Sequence, residues 1–181
     1  MPDVNRTRSV KPLPQIWREL GIPDDYAAIR GLALQPECKE AELLTIGTNP
    51  GGRLVRLTRQ AAAAWTSLQA AAATDGIVLL PLSGFRSIAR QEEIIREKLF
   101  VGRPLADILR LIAAPGCSEH HTGRALDLGT PDEPPLEEDF AETAAFGWLM
   151  RRAGDFGFQL TYPRDNPHGI VYEPWHWCWQ A

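Results

Sequence analysis

Ser118-Glu119-His120-His121-Thr122-Gly123-Arg124-Ala125-Leu126-Asp127-Leu128 decides how this chain is read. It holds two of the four histidines in the sequence, two acids and a glycine within a few residues. Thr122-Gly123 predicts a turn, and Arg124 to Leu128 a short strand. Strand alternation sets Gly123, Ala125 and Asp127 on one face and Arg124, Leu126 and Leu128 on the other. Small residues beside Asp127 leave room for a metal and a substrate. A buried carboxylate is costly unless a cation or hydrogen bonds satisfy it, and a metal would do so.

A third histidine and another acid close the chain, in Tyr172-Glu173-Pro174-Trp175-His176-Trp177. Imidazole and carboxylate are ordinary zinc ligands, and a catalytic zinc takes three protein ligands plus a water. A separate acid must then take the proton from that water. The two stretches together supply such a set. Glu173 and His176 are three apart, which on a straight strand sends them to opposite faces. Pro174 opposes regular pairing and predicts a bend that brings both toward one metal.

The pattern Ser-x-His-x-x-Gly-x-Ala-x-Asp, followed much later by Glu-x-x-His, resembles the zinc D-alanyl-D-alanine carboxypeptidases of the VanY type. These are relatives of lysostaphin-like peptidases and of the hedgehog signalling domain. Ser83-Gly84-Phe85-Arg86-Ser87 with Gln91 is a third element of the family in the right order, so the resemblance runs from about Leu79 to Trp177. It implies zinc held by His120, Asp127 and His176, with His121 at a position where the family varies. It implies Glu173 as general base. Arg86, assisted by Gln91, is similar to the group that holds the free C-terminal carboxylate of the peptide. Ser118 is expected to bond substrate or a neighbouring loop. Phe85 stands where the family often has Tyr, which removes a hydroxyl near the expected substrate.

The implied activity is removal of the terminal D-alanine from peptidoglycan stem peptides or precursors. An L,D-carboxypeptidase, a D,D-dipeptidase or a peptidoglycan endopeptidase would share the mechanism, and Arg86 favours a substrate with a free carboxylate. A non-catalytic, zinc-stabilised binding module is the reading from another class; the presence of Glu173 argues against it. The residue types alone would admit other divalent ions.

Composition sets the bounds. The 181 residues are 44% hydrophobic and 23% charged, as in ordinary globular proteins, and suffice for one domain with a real core. A formal net charge of -4 argues against a nucleic-acid or anionic-membrane surface. No apolar run is long enough to span a bilayer. Met1 to Arg6 lacks the apolar core of a signal peptide, which leaves the compartment open although the implied substrate points to the cell envelope. Cys38, Cys117 and Cys178 read as reduced thiols or at most one bridge. In an extended segment Cys178 shares a face with His176 and could share its metal; a buried, inert thiol is the other reading.

Residues 1 to about 12 are expected to be poorly ordered. Short helices are predicted from Pro14 to Leu20, with Ile16, Trp17 and Leu20 inward, and from an Asp24 cap through Ile29. Residues 31–53 are mixed, with a turn at Asn49-Pro50-Gly51-Gly52. Leu54 to Thr74 reads as one helix and Ile77 to Leu82 as a buried strand. Ser87 caps the next helix, and Pro104 starts another to Ile112. A loop over 130–138 and a helix from Ala141 to Ala153 follow. Phe158 to Leu160 and Gly169 to Tyr172 read as paired strands around a turn, with His168 exposed in it. The mixture predicts an α+β fold. The resemblance sharpens this to a small antiparallel sheet with the metal on its open face and helices on the other. Residues 1–53 are expected to be an elaboration packed on a catalytic domain over 54–181.

Overall fold

The computed structural model describes residues 11–131 and 133–180; the expectation for the first residues falls largely outside them. The fold is α+β. A four-stranded sheet has the order β3 (Leu80–Ser83), β4 (Ala125–Gly129), β6 (His176–Trp179), β5 (Phe158–Leu160). Every neighbouring pair is antiparallel. A separate hairpin joins β1 (Leu43–Thr48) to β2 (Leu54–Thr58).

The alternation of β4 divides two environments. Leu126 and Leu128 face a core with Trp65 and Leu68 of α3 (Arg59–Thr74), Trp148 and Leu149 of α6 (Ala144–Arg152), Phe158 of β5 and Trp177 of β6. Burying each such side chain contributes about 1.5–3 kcal/mol. Asp127 faces the other way and is paired in register with His176, so one strand pair carries two predicted ligands side by side.

A second apolar cluster supports the far wall of that face. It joins Ile16, Trp17 and Leu20 of α1 (Leu13–Leu20), Tyr26 of α2 (Tyr26–Ile29), Ile95 of α4 (Ile88–Phe100), and Ile108 and Leu109 of α5 (Leu105–Leu111). Tyr162 and Ile170 from the β5–β6 connection complete it. Ser87 caps α4 as expected, its side chain accepting from the Arg90 N–H at 3.1 Å.

Several predicted elements are corrected. Leu54–Thr58 is a strand, not the first turn of α3: Val55 and Leu57 are buried at period two while Leu54 is exposed. The alanines that follow carried a helical pattern backward across that boundary. The Asn49 turn therefore joins two strands. Gly169–Tyr172 forms no strand, because β5 pairs with β6 and Val171 donates its N–H to Arg110 O instead. His168 is half-buried, not exposed, with Nδ1 2.9 Å from Arg30 O. Asp25, not Asp24, precedes α2, and it makes no side-chain cap. The regular part of β3 begins at Leu80 and α6 at Ala144, where the Thr143 side chain accepts from Phe146 N–H.

The hairpin is stitched to the central motif. Thr58 N–H bonds Gly123 O, Cys38 N–H bonds His121 O, and Phe85 N–H bonds Arg56 O. Two glycines permit this approach. Gly123 has φ +66, and a Cβ there would lie 2.9 Å from Leu43 Cδ2. A Cβ on Gly84 would lie 2.5 Å from Arg56 O, closer than backbone tolerates.

Candidate metal centre and substrate cleft

A short 3-10 turn, Glu119–Thr122, precedes β4 and is closed by Gly123 in the left-handed conformation. This turn sends its adjacent histidines apart. His120 points to Asp127, its Nε2 3.2 Å from Oδ2, while its Nδ1 donates to Gly84 O at 2.7 Å. His121 points away, its Nδ1 donating to Arg86 O at 2.6 Å and its Nε2 accepting from Gly116 N–H at 3.0 Å. Both rings are buried.

His176 arrives from β6 with Nδ1 3.0 Å from Asp127 Oδ1 and Nε2 2.9 Å from Glu119 Oε2. One donor atom from each of His120, Asp127 and His176 falls within 4.8 Å of the others, and all three residues are buried. Cys178 shares their face but is outside this group. Burial above all pushes its thiol up to about 12, the inert reading of that residue. All three cysteines are free.

The donor chemistry fits a divalent cation. Burial, and the charges of Arg86 and His176, lower the His120 pKa and favour the neutral ring, although Asp127 opposes this. Its proton is committed to Gly84 O, so the Nε2 lone pair faces the Asp127 carboxylate. Two lone pairs at that separation call for a cation between them. Burial alone would raise Asp127, but the imidazoles around it hold its pKa well below the usual carboxylate range. Burial likewise lowers the His176 pKa, yet its bonds to Asp127 and Glu119 raise it to about 10, so without metal the ring is an imidazolium between two carboxylates. A metal at Nδ1 would replace that proton, as metal binding generally requires.

Glu173 stands beside this group. The chain bends at Pro174, where His176 N–H bonds Glu173 O at 3.0 Å, and Glu173 Oε2 comes to 3.9 Å from His176 Nδ1. Burial pushes its carboxyl up to about 7, with Asp127 and Glu119 adding to the rise against His176 and Arg86.

Arg86 enters from the end of β3. Its Nη1 donates to Gln91 Oε1 at 3.0 Å and its Nη2 to Ser83 Oγ at 3.2 Å, with Nη2 3.9 Å from Asp127 Oδ2. Gln91 is fixed in turn by donating to Ala113 O at 2.6 Å. Arg86, Gln91, Ser118, His120, Asp127, Glu173 and His176 all line one cleft of 370 Å³. Phe85 is not in that lining; it lies under the Arg56 guanidinium in a neighbouring cavity.

Three residues here escaped the sequence reading. Tyr162 walls the cleft with its ring 5.0 Å from that of His176. Glu119 and Thr161 form the outer support of His176, with Thr161 Oγ1 donating to Glu119 Oε2 at 2.7 Å. Glu119 occupies an unspecified position of the motif, and nothing in the sequence marks it as a partner of His176.

A family model described as VanY, D-alanyl-D-alanine carboxypeptidase, matches residues 54–181. The bifunctional D-Ala-D-Ala dipeptidase and D-Ala-D-Ala carboxypeptidase VanXYC of Enterococcus gallinarum is 33% identical over 127 residues, 67% of this chain and 66% of that protein. The chain spans 66%, 45% and 42% of the lengths of three curated relatives that it matches. The solved LdcB LD-carboxypeptidase superposes with a TM-score of 0.71 at 26% identity, over 82% of this chain and 74% of that one. The vancomycin-resistance D,D-pentapeptidase VanY, solved with Zn(II), gives 0.61 at 25% identity, over 82% and 84%.

Proposed function

The chain belongs to the VanY family, and on that premise we propose that it is a zinc-dependent carboxypeptidase. It removes the C-terminal D-alanine from peptidoglycan stem peptides or their precursors. The observation that carries this reading is the company kept in one cleft. A buried His120–Asp127–His176 group, a carboxylate at 3.9 Å that stays outside it, and a braced guanidinium share the same walls.

Each residue then has a task. His120, Asp127 and His176 hold zinc, which when bound supplies Lewis acidity toward a water and the scissile carbonyl. Glu173 takes the proton of the attacking water and returns it to the leaving amine. Burial raises the Glu173 carboxyl above an ordinary glutamate, the direction that suits a group that must accept a proton and release it again. Arg86 binds the terminal carboxylate of the peptide. Its planar fork matches a carboxylate through parallel hydrogen bonds, and the bonds to Gln91 and Ser83 fix that fork in advance. Ser118 and Tyr162 wall the site.

The test is incubation of the zinc-loaded protein with a synthetic stem pentapeptide, its C-terminally amidated form and the tetrapeptide, with products read by mass. Loss of a single D-alanine from the free-acid pentapeptide, and far slower cleavage of the amide, is the expected result. An untouched pentapeptide would overturn the proposal. Release of an intact dipeptide, or shortening of the tetrapeptide alone, would move the scissile bond.

A further inference from the structure

The two imidazoles at the centre are aimed by different means. Nδ1 of His120 is tied to a main-chain carbonyl, Gly84 O, and no side-chain substitution can delete that acceptor. Nε2 of His176 is tied to a side chain, the Glu119 carboxylate, at 2.9 Å. The same oxygen, Oε2, also accepts from the Thr161 hydroxyl at 2.7 Å, so the carboxylate is itself held in place from the end of β5.

We propose that Glu119, anchored by Thr161, is a positioning residue that selects which nitrogen of His176 meets the metal. This inference rests on the zinc reading above. By accepting the Nε2 proton, Glu119 fixes the tautomer in which Nδ1 carries the lone pair toward Asp127 and the metal. A carboxylate in this place also raises the donor strength of the ring. Outer partners of ligating histidines typically carry roughly 10- to 100-fold of metal affinity. The arrangement leaves the two histidines in opposite tautomers, His120 donating from Nδ1 and His176 from Nε2.

The test measures zinc affinity by competition with a chromophoric chelator, for the parent chain, Glu119→Ala, Glu119→Gln and Thr161→Val. Nitrogen-15 spectra of the zinc-loaded, histidine-labelled parent read the tautomers directly. Glu119→Ala should bind zinc roughly 10- to 100-fold more weakly. Glu119→Gln keeps an acceptor without the charge and should fall between it and the parent. Thr161→Val should show a smaller loss in the same direction. The spectra should show His176 protonated at Nε2 and metal-bound at Nδ1.

A folded Glu119→Ala with parental affinity would overturn the proposal, and so would His176 bound through Nε2. If Glu119→Ala does not fold, Glu119→Gln and Thr161→Val decide, and parental affinity in both overturns it. Zinc binding is read without peptide, so a chain that binds zinc as described but cleaves no stem peptide would defeat the proposed function alone. A parent chain that binds no zinc would remove both.

Discussion

On one side of the Glu119–Thr122 turn, His120 leaves a nitrogen facing a carboxylate; on the other, His121 spends both nitrogens on the backbone. The residues are chemically identical and adjacent. What separates them is which neighbours consume their hydrogen-bonding capacity. The His121 side is closed: it clamps Gly116 N–H and Arg86 O, and so fixes the segments that lead to Ser118 and Arg86. The His120 side is open, because Asp127 and His176 present more lone pairs than protons once the rings are neutral. A buried polar group without a partner is expensive, so an arrangement of this kind is retained for a ligand. The clamp makes the open side geometrically precise.

Substituting each histidine breaks the comparison most directly. His120→Ala should cost zinc affinity by more than the roughly 100-fold upper range for an outer partner, because a direct ligand is gone. His121→Gln should keep zinc bound at one ion per chain. Metal analysis after dialysis against weak chelator decides between them. Loss of zinc from the His121 variant with retention in the His120 variant would reverse the assignment.

Glu173→Gln sharpens the comparison within the open side, between holding a metal and moving a proton. Gln keeps the shape and reach of Glu but accepts no proton at neutral pH. Zinc content and fold should survive, while turnover falls by roughly 10²- to 10⁴-fold. Near-parental turnover on the stem pentapeptide would remove the general-base role, and loss of zinc would make Glu173 a ligand.

Much of the open side is legible in the sequence. Asp127 on a strand beside alanine, and a proline between Glu173 and His176, already implied a shared face and a bend. The structure supplies both, with Asp127 and His176 in register across β4 and β6. The support of that face was not legible. Glu119 and His176 are 57 residues apart, and no periodicity links an acid in a turn to a ring on a distant strand. The hairpin escaped for a local reason. Val55 and Leu57 alternate over too few residues to outweigh the alanine-rich helix that follows them. Gly169–Tyr172 failed the other way: its apolar residues suit a strand, but Ile170 is buried in the second cluster and β6 is already paired on both edges.

The smallest effect concerns the closed side alone. Burial chiefly, with the charges of His120 and Arg86, lowers the His121 pKa to about 4 from its ordinary 6.5, although the bond to Arg86 O opposes the shift. The folded-state value is therefore below the unfolded one. Between those two values the unfolded chain binds the extra proton and the folded chain does not. Stability from this residue is fully present above about pH 6.5 and declines as the pH falls toward 4. At about 1.4 kcal/mol per unit, the loss approaches ~3.5 kcal/mol at most, and less where solvent relaxes the buried ring. Denaturant melts of the chelator-treated protein at several pH values, set against His121→Gln, isolate it. The parent should lose more stability than the variant across that window, since Gln does not titrate, while Asp127 and His176 contribute alike to both. Parallel curves for the two proteins would mean that His121 takes up its proton in the fold as readily as in the unfolded chain, and that the Nε2 lone pair is not held by Gly116 N–H.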